Sequence, residues 1–311
     1  MWDVAPDDDD DDGDLNNAAL CAITVDEIAS AVAIDWLVSQ QCLDGSFQPY
    51  RASIRTACGP SDPVNFSGPD TNSTALAALA LDSVGKLAQA KKAVNWLTKA
   101  GAKAPNGTTG IAYYPSAGAL PDTNSSALAY LAMSGLGVNS TIVGQVRTYL
   151  LSSITPCAQS GGAKYQIGDA GVNNSASAQA LFGLKGLTPA EPANKLAADP
   201  KCGKTKVNNL ASYLSGQLKT GLLSSFPYDG TDFGNTATAV ITFNTMKVGK
   251  ASVSKAITAL KANAKAWALK DGKVDAGALG KLLAAAQATD SNPKKFGGMN
   301  LVKTLTNSMR K

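Results

Sequence analysis

Two stretches of this chain read almost alike, and neither carries a charge after its opening Asp. Asp70-Thr71-Asn72-Ser73-Thr74-Ala75-Leu76-Ala77-Ala78-Leu79-Ala80-Leu81 returns as Asp122-Thr123-Asn124-Ser125-Ser126-Ala127-Leu128-Ala129-Tyr130-Leu131-Ala132-Met133. Looser copies begin at Val172-Asn173-Asn174-Ser175 and at Phe233-Gly234-Asn235-Thr236. Matched on Asn72, Asn124, Asn174 and Asn235, the copies are spaced by 52, 50 and 61 residues. A period of that size indicates stacked helix pairs. Each copy opens with side chains whose oxygens accept the free N–H groups of a first helical turn. Ala and Leu, strong helix formers, follow. A helix that is apolar on nearly every side is a buried one. The pattern therefore predicts an inner helix at each copy.

Between these copies the apolar positions recur at three-to-four spacing, the mark of amphipathic outer helices. They are predicted over Val25–Gln41, Ala88–Ala100, Val143–Ser153, Lys206–Lys219 and Val253–Trp267. Aromatic-Leu pairs recur along them at Trp36, Trp96, Tyr149 and Tyr213, and read as anchors between neighbouring helices. Loops rich in Gly and aromatics join outer to inner helices. A further inner helix is expected over Ala276–Ala288 and a terminal one over 299–309, with one more near Leu15–Ile23. The fold class is all-α, with eleven to twelve helices closing as an α/α toroid (an α6/α6 barrel). One toroid domain is expected over 21–311, preceded by an acidic, disordered tail over 1–20.

Composition adjusts this picture in three places. The net charge of +4 conceals a separation, because residues 1–20 hold eight Asp and no basic residue while the C-terminal end is rich in Lys. Arg is almost absent from that basic end, which argues against nucleic acid. Nothing in the chain is long and apolar enough to span a membrane. The Asp7–Asp12 run imitates the start of a calcium loop, but Ala19 stands where the bidentate Glu belongs. Five Cys and no His exclude an ordinary zinc site. Cys42 with Cys58, and Cys157 with Cys202, flank long loops and are expected as two disulfides, leaving Cys21 over. The expected location is extracellular or at the cell surface, a signal peptide having been removed.

Trp36-Leu37…Gln40-Gln41…Asp44-Gly45-Ser46-Phe47 resembles the glutamine-and-aromatic repeat of squalene/triterpene cyclases and protein prenyltransferase β subunits. Joined to the Asp-Thr-Asn-Ser helices, it is more similar still to secreted bacterial toroid proteins of that superfamily. The α/α barrels of cobalamin carriers have similar inner helices. The likeness covers roughly residues 25–300 and implies the fold, while function must be argued from sites. Prenyltransferases hold zinc through Asp, Cys and His, and this chain lacks His. Class II cyclases protonate an isoprenoid with an Asp-x-Asp-Asp acid inside an aromatic cavity. The only such run here is the N-terminal one, and aromatics form 6% of the chain.

The reading that remains is a non-catalytic binding or structural module. Parallel inner helices bring their N-termini to one polar rim. Its candidate ligand-binding residues are Asp70, Asn72, Tyr113, Asp122, Asn124, Tyr165, Asn174, Tyr228 and Asn235, with Tyr114 and Phe226 beside them. Such a rim suits a small polar ligand, a glycan or a cell-wall polymer. No cofactor is expected, and the residues do not support a cobalamin-like one. The alternative is an enzyme on the same toroid, acting on isoprenoids or on carbohydrate, for which two of these Asp would have to converge in a cavity.

Overall fold

The computed structural model describes residues 31–185 and 195–309. The acidic run, Cys21 and the first part of the predicted Val25–Gln41 helix lie outside the described residues. Those that are described are mostly helical. They form α1 (Ala31–Ser39), α2 (Thr71–Ser83), α3 (Leu87–Leu97), α4 (Thr123–Gly135), α5 (Thr141–Ser153), α6 (Asn174–Lys185), α7 (Lys206–Gln217), α8 (Phe233–Thr245), α9 (Lys250–Ala268), α10 (Ala276–Ala288) and α11 (Leu301–Met309). Three two-stranded antiparallel ribbons interrupt them: β1 (Gly101–Lys103) with β2 (Thr109–Ile111), β3 (Leu223–Ser224) with β4 (Thr231–Asp232), and β5 (Leu269–Lys270) with β6 (Lys273–Val274). These ribbons are absent from the sequence reading. Each stands between an outer and an inner helix.

The chain divides into two compact units, and α1 and α7 each have residues in both. In the first unit α4 packs between α2 and α6, with α3 against α2 and α5 against α4. Its core comprises Phe47, Leu81, Val94, Leu97, Ile111, Met133, Val146, Tyr149 and Leu150, set among many buried Ala. Small residues allow the close approach. A Cβ on Gly183 of α6 would stand 2.6 Å from the Ala127 carbonyl of α4, so no larger residue fits there without movement. In the second unit α8 packs on α9 and α10, and α10 on α11.

The inner helices begin with one repeated device. Asp70, Asp122, Asp232 and Asp275 are the N-caps of α2, α4, α8 and α10, each accepting the backbone N–H three residues on at 2.8–2.9 Å. Asn173 serves α6 in the same way, accepting Ala176 N–H at 2.9 Å. Four residues after the first four of these caps in chain order comes a hydroxyl. Thr74 Oγ1 accepts the Phe47 N–H at 3.0 Å and donates to the Asp70 carbonyl at 2.7 Å. Ser126 accepts the Ile111 N–H at 2.9 Å, Ser177 that of Ala163 at 2.8 Å, and Thr236 that of Leu223 at 2.9 Å. In return the N–H groups of Asp70, Asp122 and Asn173 donate to the carbonyls of Phe47, Ile111 and Ala163. The extended segment before each of these four helices is thereby locked to its first turn. Residues with little strand character of their own are held extended by this hydroxyl.

This places the repeat in a different register from the one matched on Asn. The equivalent positions are Asp70, Asp122, Asn173 and Asp232. Asn174 then corresponds to Thr71 and Thr123, and Asn235 to Ser73 and Ser125, rather than to Asn72 and Asn124. The helix anchors need a correction as well. Tyr149 and Tyr213 are buried, their hydroxyls donating to the Pro121 carbonyl (2.8 Å) and to Asn174 Oδ1 (2.7 Å). Trp36 is instead 62% exposed, because α1 buries none of its residues. Both disulfides form as expected, Cys42–Cys58 and Cys157–Cys202.

The hydroxyl lock yields a measurable consequence. Ser126→Ala leaves the buried Ile111 N–H without an acceptor and should cost about 1–3 kcal/mol in urea unfolding. Removal of the exposed Thr148 hydroxyl, which only bonds back within α5, should cost under about 0.5 kcal/mol. Equal losses in the two variants would show that the lock is not what holds the segment.

Candidate functional site

The first turns of α2 and α4 carry most of the residues that the sequence singled out. Backbone bonds tie each turn to the loop of the following repeat. Thr71 donates its N–H to the Tyr113 carbonyl at 3.0 Å, and its hydroxyl reaches the Ala112 carbonyl at 3.0 Å. Thr123 does the same one repeat later, its N–H to the Tyr165 carbonyl at 2.8 Å and its hydroxyl to that of Lys164 at 2.7 Å. These bonds fix Tyr113 and Tyr165 beside the helix N-termini. The Asn124 amide crosses to α6 and donates to Ser175 Oγ at 3.2 Å. Asp70, Tyr113, Asp122, Asn124 and Tyr165 thus belong to one continuous strip of the first unit. Asn72 lies on the same turn of α2.

The electrostatics follow from burial. Asp122 is only 2% exposed, and desolvation pushes its carboxyl up to about 6 against the bonds it accepts from Ser125 and the backbone. Burial also raises Asp70, opposed by its bonds to Ser73. Tyr113 is pushed up to about 12 by burial and then by the Asp70 charge. An acid sealed at a helix start is a cap before it is a catalyst, because a general acid must come within hydrogen-bond reach of its substrate. Four buried oxygens of these two turns have no hydrogen-bond partner among the described residues: Asp70 Oδ2, Asn72 Oδ1, Asn124 Oδ1 and Ser125 Oγ.

The remaining candidates are used or placed differently. Asn174 is buried and receives the Tyr213 hydroxyl. Asn235 is buried in the second unit, where its amide donates to Asp232 Oδ2 at 2.6 Å. Tyr228, 74% exposed, sits with Phe226 in the turn between β3 and β4. The sequence reading passed over Phe66, which is 72% exposed and meets Tyr114 edge-on with ring centroids 6.2 Å apart. Tyr114 in turn meets Tyr113 at 4.6 Å. An aromatic chain therefore runs from the surface to the Asp70 turn. Its only signal in the sequence is a turn-rich segment, Asp62-Pro63-Val64-Asn65, placed just before an inner helix.

An open polar groove of about 690 Å³ lies between the β1–β2 ribbon and the start of α5, lined by Lys103, Thr108, Asn139, Ser140, Gln145 and Thr148 among others. None of the candidates from the sequence lines it. Among the described residues no group of His, Cys, Asp or Glu could hold a metal ion, and no helix is long and apolar enough to cross a membrane.

The buried Asp122 makes stability depend on pH with a known sign. Its folded pKa lies above the model-peptide value of 3.8, so the native state binds the proton more tightly than the unfolded chain does. The resulting stabilisation is full below about pH 4 and disappears as pH rises through about 6. Asp122→Asn keeps a good cap and removes the titration. Between pH 4 and 7 the wild type should lose about 3 kcal/mol relative to this variant in parallel urea titrations. Parallel stability curves across that range would contradict the assignment.

No protein-family model matches the chain, and no curated protein matches it. Among solved structures it is similar to a protein from Actinoplanes, with a TM-score of 0.57 and 15% identity, over 92% of this chain and 80% of that one. The likeness is one of fold.

Proposed function

We propose that this chain is a non-catalytic binding module, secreted or displayed at the cell surface, built on an α/α toroid of successive helix pairs. Its ligand is met at the N-terminal turns of α2 and α4 in the first unit. One observation carries this reading. Four oxygens gathered on those two turns lack donors among the described residues, whereas Oδ1 of Asp70 and of Asp122 and the Thr71 and Thr123 hydroxyls on the same turns are used within the fold. Buried acceptors without partners call for a donor from outside the chain, from water or from a ligand. The ligand is accordingly a polar one that brings hydroxyl or amide donors.

Two disulfides support an oxidising location. The burial of Asp70 and Asp122 disfavours the alternative, an enzyme on the same toroid, since that reading needs both carboxylates to face a substrate.

Asn72 and Asn124 are not the caps of their helices, so replacing them separates binding from stability. In Asn72→Ala the melting temperature should stay within about 2 °C of wild type, as for a change of under 0.5 kcal/mol, while Asn124→Ala, which also loses the bond to Ser175, should cost about 0.5–1.5 kcal/mol. Native mass spectrometry of protein recovered from its secreting cells should show a bound species that both variants lose. Retention of that species by both variants would sink the proposal.

A further inference from the structure

The groove beside the β1–β2 ribbon takes its shape from two glycines. A Cβ on Gly101 would stand 2.9 Å from Ile142 Cδ1 and 3.3 Å from Thr109 Cγ2, so the start of α5 seats directly on the ribbon. Gly144 of α5 lines the groove without a side chain to narrow it. The turn at the tip of the ribbon is fixed as well. Asn106 Oδ1 accepts the Thr108 N–H at 3.1 Å and the Thr108 hydroxyl at 2.6 Å, and Gly107 takes a φ of +81° between them.

Lys103 and Thr109 are directly paired across the ribbon, so their side chains project from one face of it, and both line the groove. Thr109 is only 8% exposed, and its methyl lies on the Gly101 side. Its hydroxyl takes part in no hydrogen bond among the described residues. A buried hydroxyl left over by the fold calls for a partner from outside it. Facing this pair is the start of α5. Ser140 caps that helix with extended backbone and makes no side-chain cap bond. The N–H groups of Thr141 and Ile142, in its first turn, have no partner within the helix. Such donors, at the positive end of a helix dipole, favour an anion.

The surrounding charge has the same sense. Over residues 83–168 the chain carries six Lys and one Arg against a single acid, Asp122, and that acid is buried as a helix cap. Among the described residues no acidic, aliphatic or aromatic side chain lines the groove. We infer that the groove binds the phosphate group of a phosphorylated polyol. Lys103, the Thr109 hydroxyl and the first N–H groups of α5 serve the phosphate, and Asn139 and Gln145 serve the polyol. Phosphate fits better than carboxylate because the cation is a Lys point charge and the other donors come from separate elements. A carboxylate is best held by the planar fork of Arg, and Arg147 is not among the lining residues. A volume of about 690 Å³ suits a small molecule rather than a lone ion. The amides and hydroxyls of the lining both donate and accept, as a chain of hydroxyls requires. This site is separate from the turns of α2 and α4 and does not rest on the function proposed for them.

The experiment titrates the full chain, by calorimetry, with glycerol phosphate and with phosphodiester-linked poly(glycerol phosphate). Glycerol, glycerate and inorganic phosphate are the controls, and amide NMR locates the site. Wild type should bind at least one of the two phosphorylated probes about tenfold more tightly than any control, with the largest amide shifts at Thr109, Thr141 and Ile142. Tighter binding of the monoester assigns the groove to a free phosphorylated polyol, and tighter binding of the polymer to a phosphodiester chain. Lys103→Glu, at an exposed position, should weaken binding by more than about tenfold. Thr109→Val keeps the shape and drops a hydroxyl that the fold does not use. It should weaken binding by about tenfold while melting no lower than wild type. Glycerate or inorganic phosphate binding as tightly as the better probe overturns the phosphorylated-polyol assignment. Failure of both probes to bind, or binding that survives Lys103→Glu and Thr109→Val unchanged, overturns the site itself.

Discussion

One hydroxyl in each of four repeats holds this structure in order. Thr74, Ser126, Ser177 and Thr236 each accept an N–H from the extended residue that precedes the inner helix. Without such an acceptor those N–H groups would be buried and unsatisfied, at a cost comparable to a lost hydrogen bond. In three of them, Thr74, Ser177 and Thr236, the same hydroxyl donates to the carbonyl of its own helix cap, so helix start and incoming segment form as one unit. Thr71 and Thr123 then join that unit to the next loop. The repeat is therefore a polar scaffold with small apolar residues packed behind it. This explains why Ala and Ser, which bury little area individually, suffice for helices that approach as closely as α4 and α6 do at Gly183.

That scaffold limits what the repeated Asp residues can do. A carboxylate that caps a buried helix start is already bonded to backbone N–H groups and sealed from solvent. Asp122 shows the limit most clearly, since desolvation outweighs the bonds it accepts and leaves its pKa near 6. In a cleft such a value would suggest a general acid. Here it reports only how thoroughly the cap is enclosed. The polar atoms that remain for recognition are those the scaffold does not use, and these are mostly amide and hydroxyl oxygens.

Much of this was legible in the sequence wherever the information is local. The inner helices at 71–83 and 123–135 announce themselves through an acceptor followed by Ala and Leu, and both cysteine pairs could be matched to the loops they close. The register of the third and fourth copies was not legible by matching Asn. What the device needs is a side-chain acceptor at the cap and a hydroxyl four residues on, and Asp or Asn, Ser or Thr meet those needs interchangeably. The ribbons were hidden for a related reason. Strands such as Gly101–Lys103 have neither the length nor the alternation that reveals a strand, and their extended form comes from pairing across a short turn with Thr109–Ile111. Trp36 fits the helical spacing of an anchor, yet α1 buries nothing that would make it one.

Phe66 marks the far end of that scale. Nothing in Asn65-Phe66-Ser67 predicts a left-handed aromatic, because the conformation is imposed by Asp62 from one side and by the Gly68–Pro60 approach from the other. A glycine at this position would relieve the strain. The ring gains little from the fold, since most of it faces solvent and its one aromatic neighbour meets it edge-on.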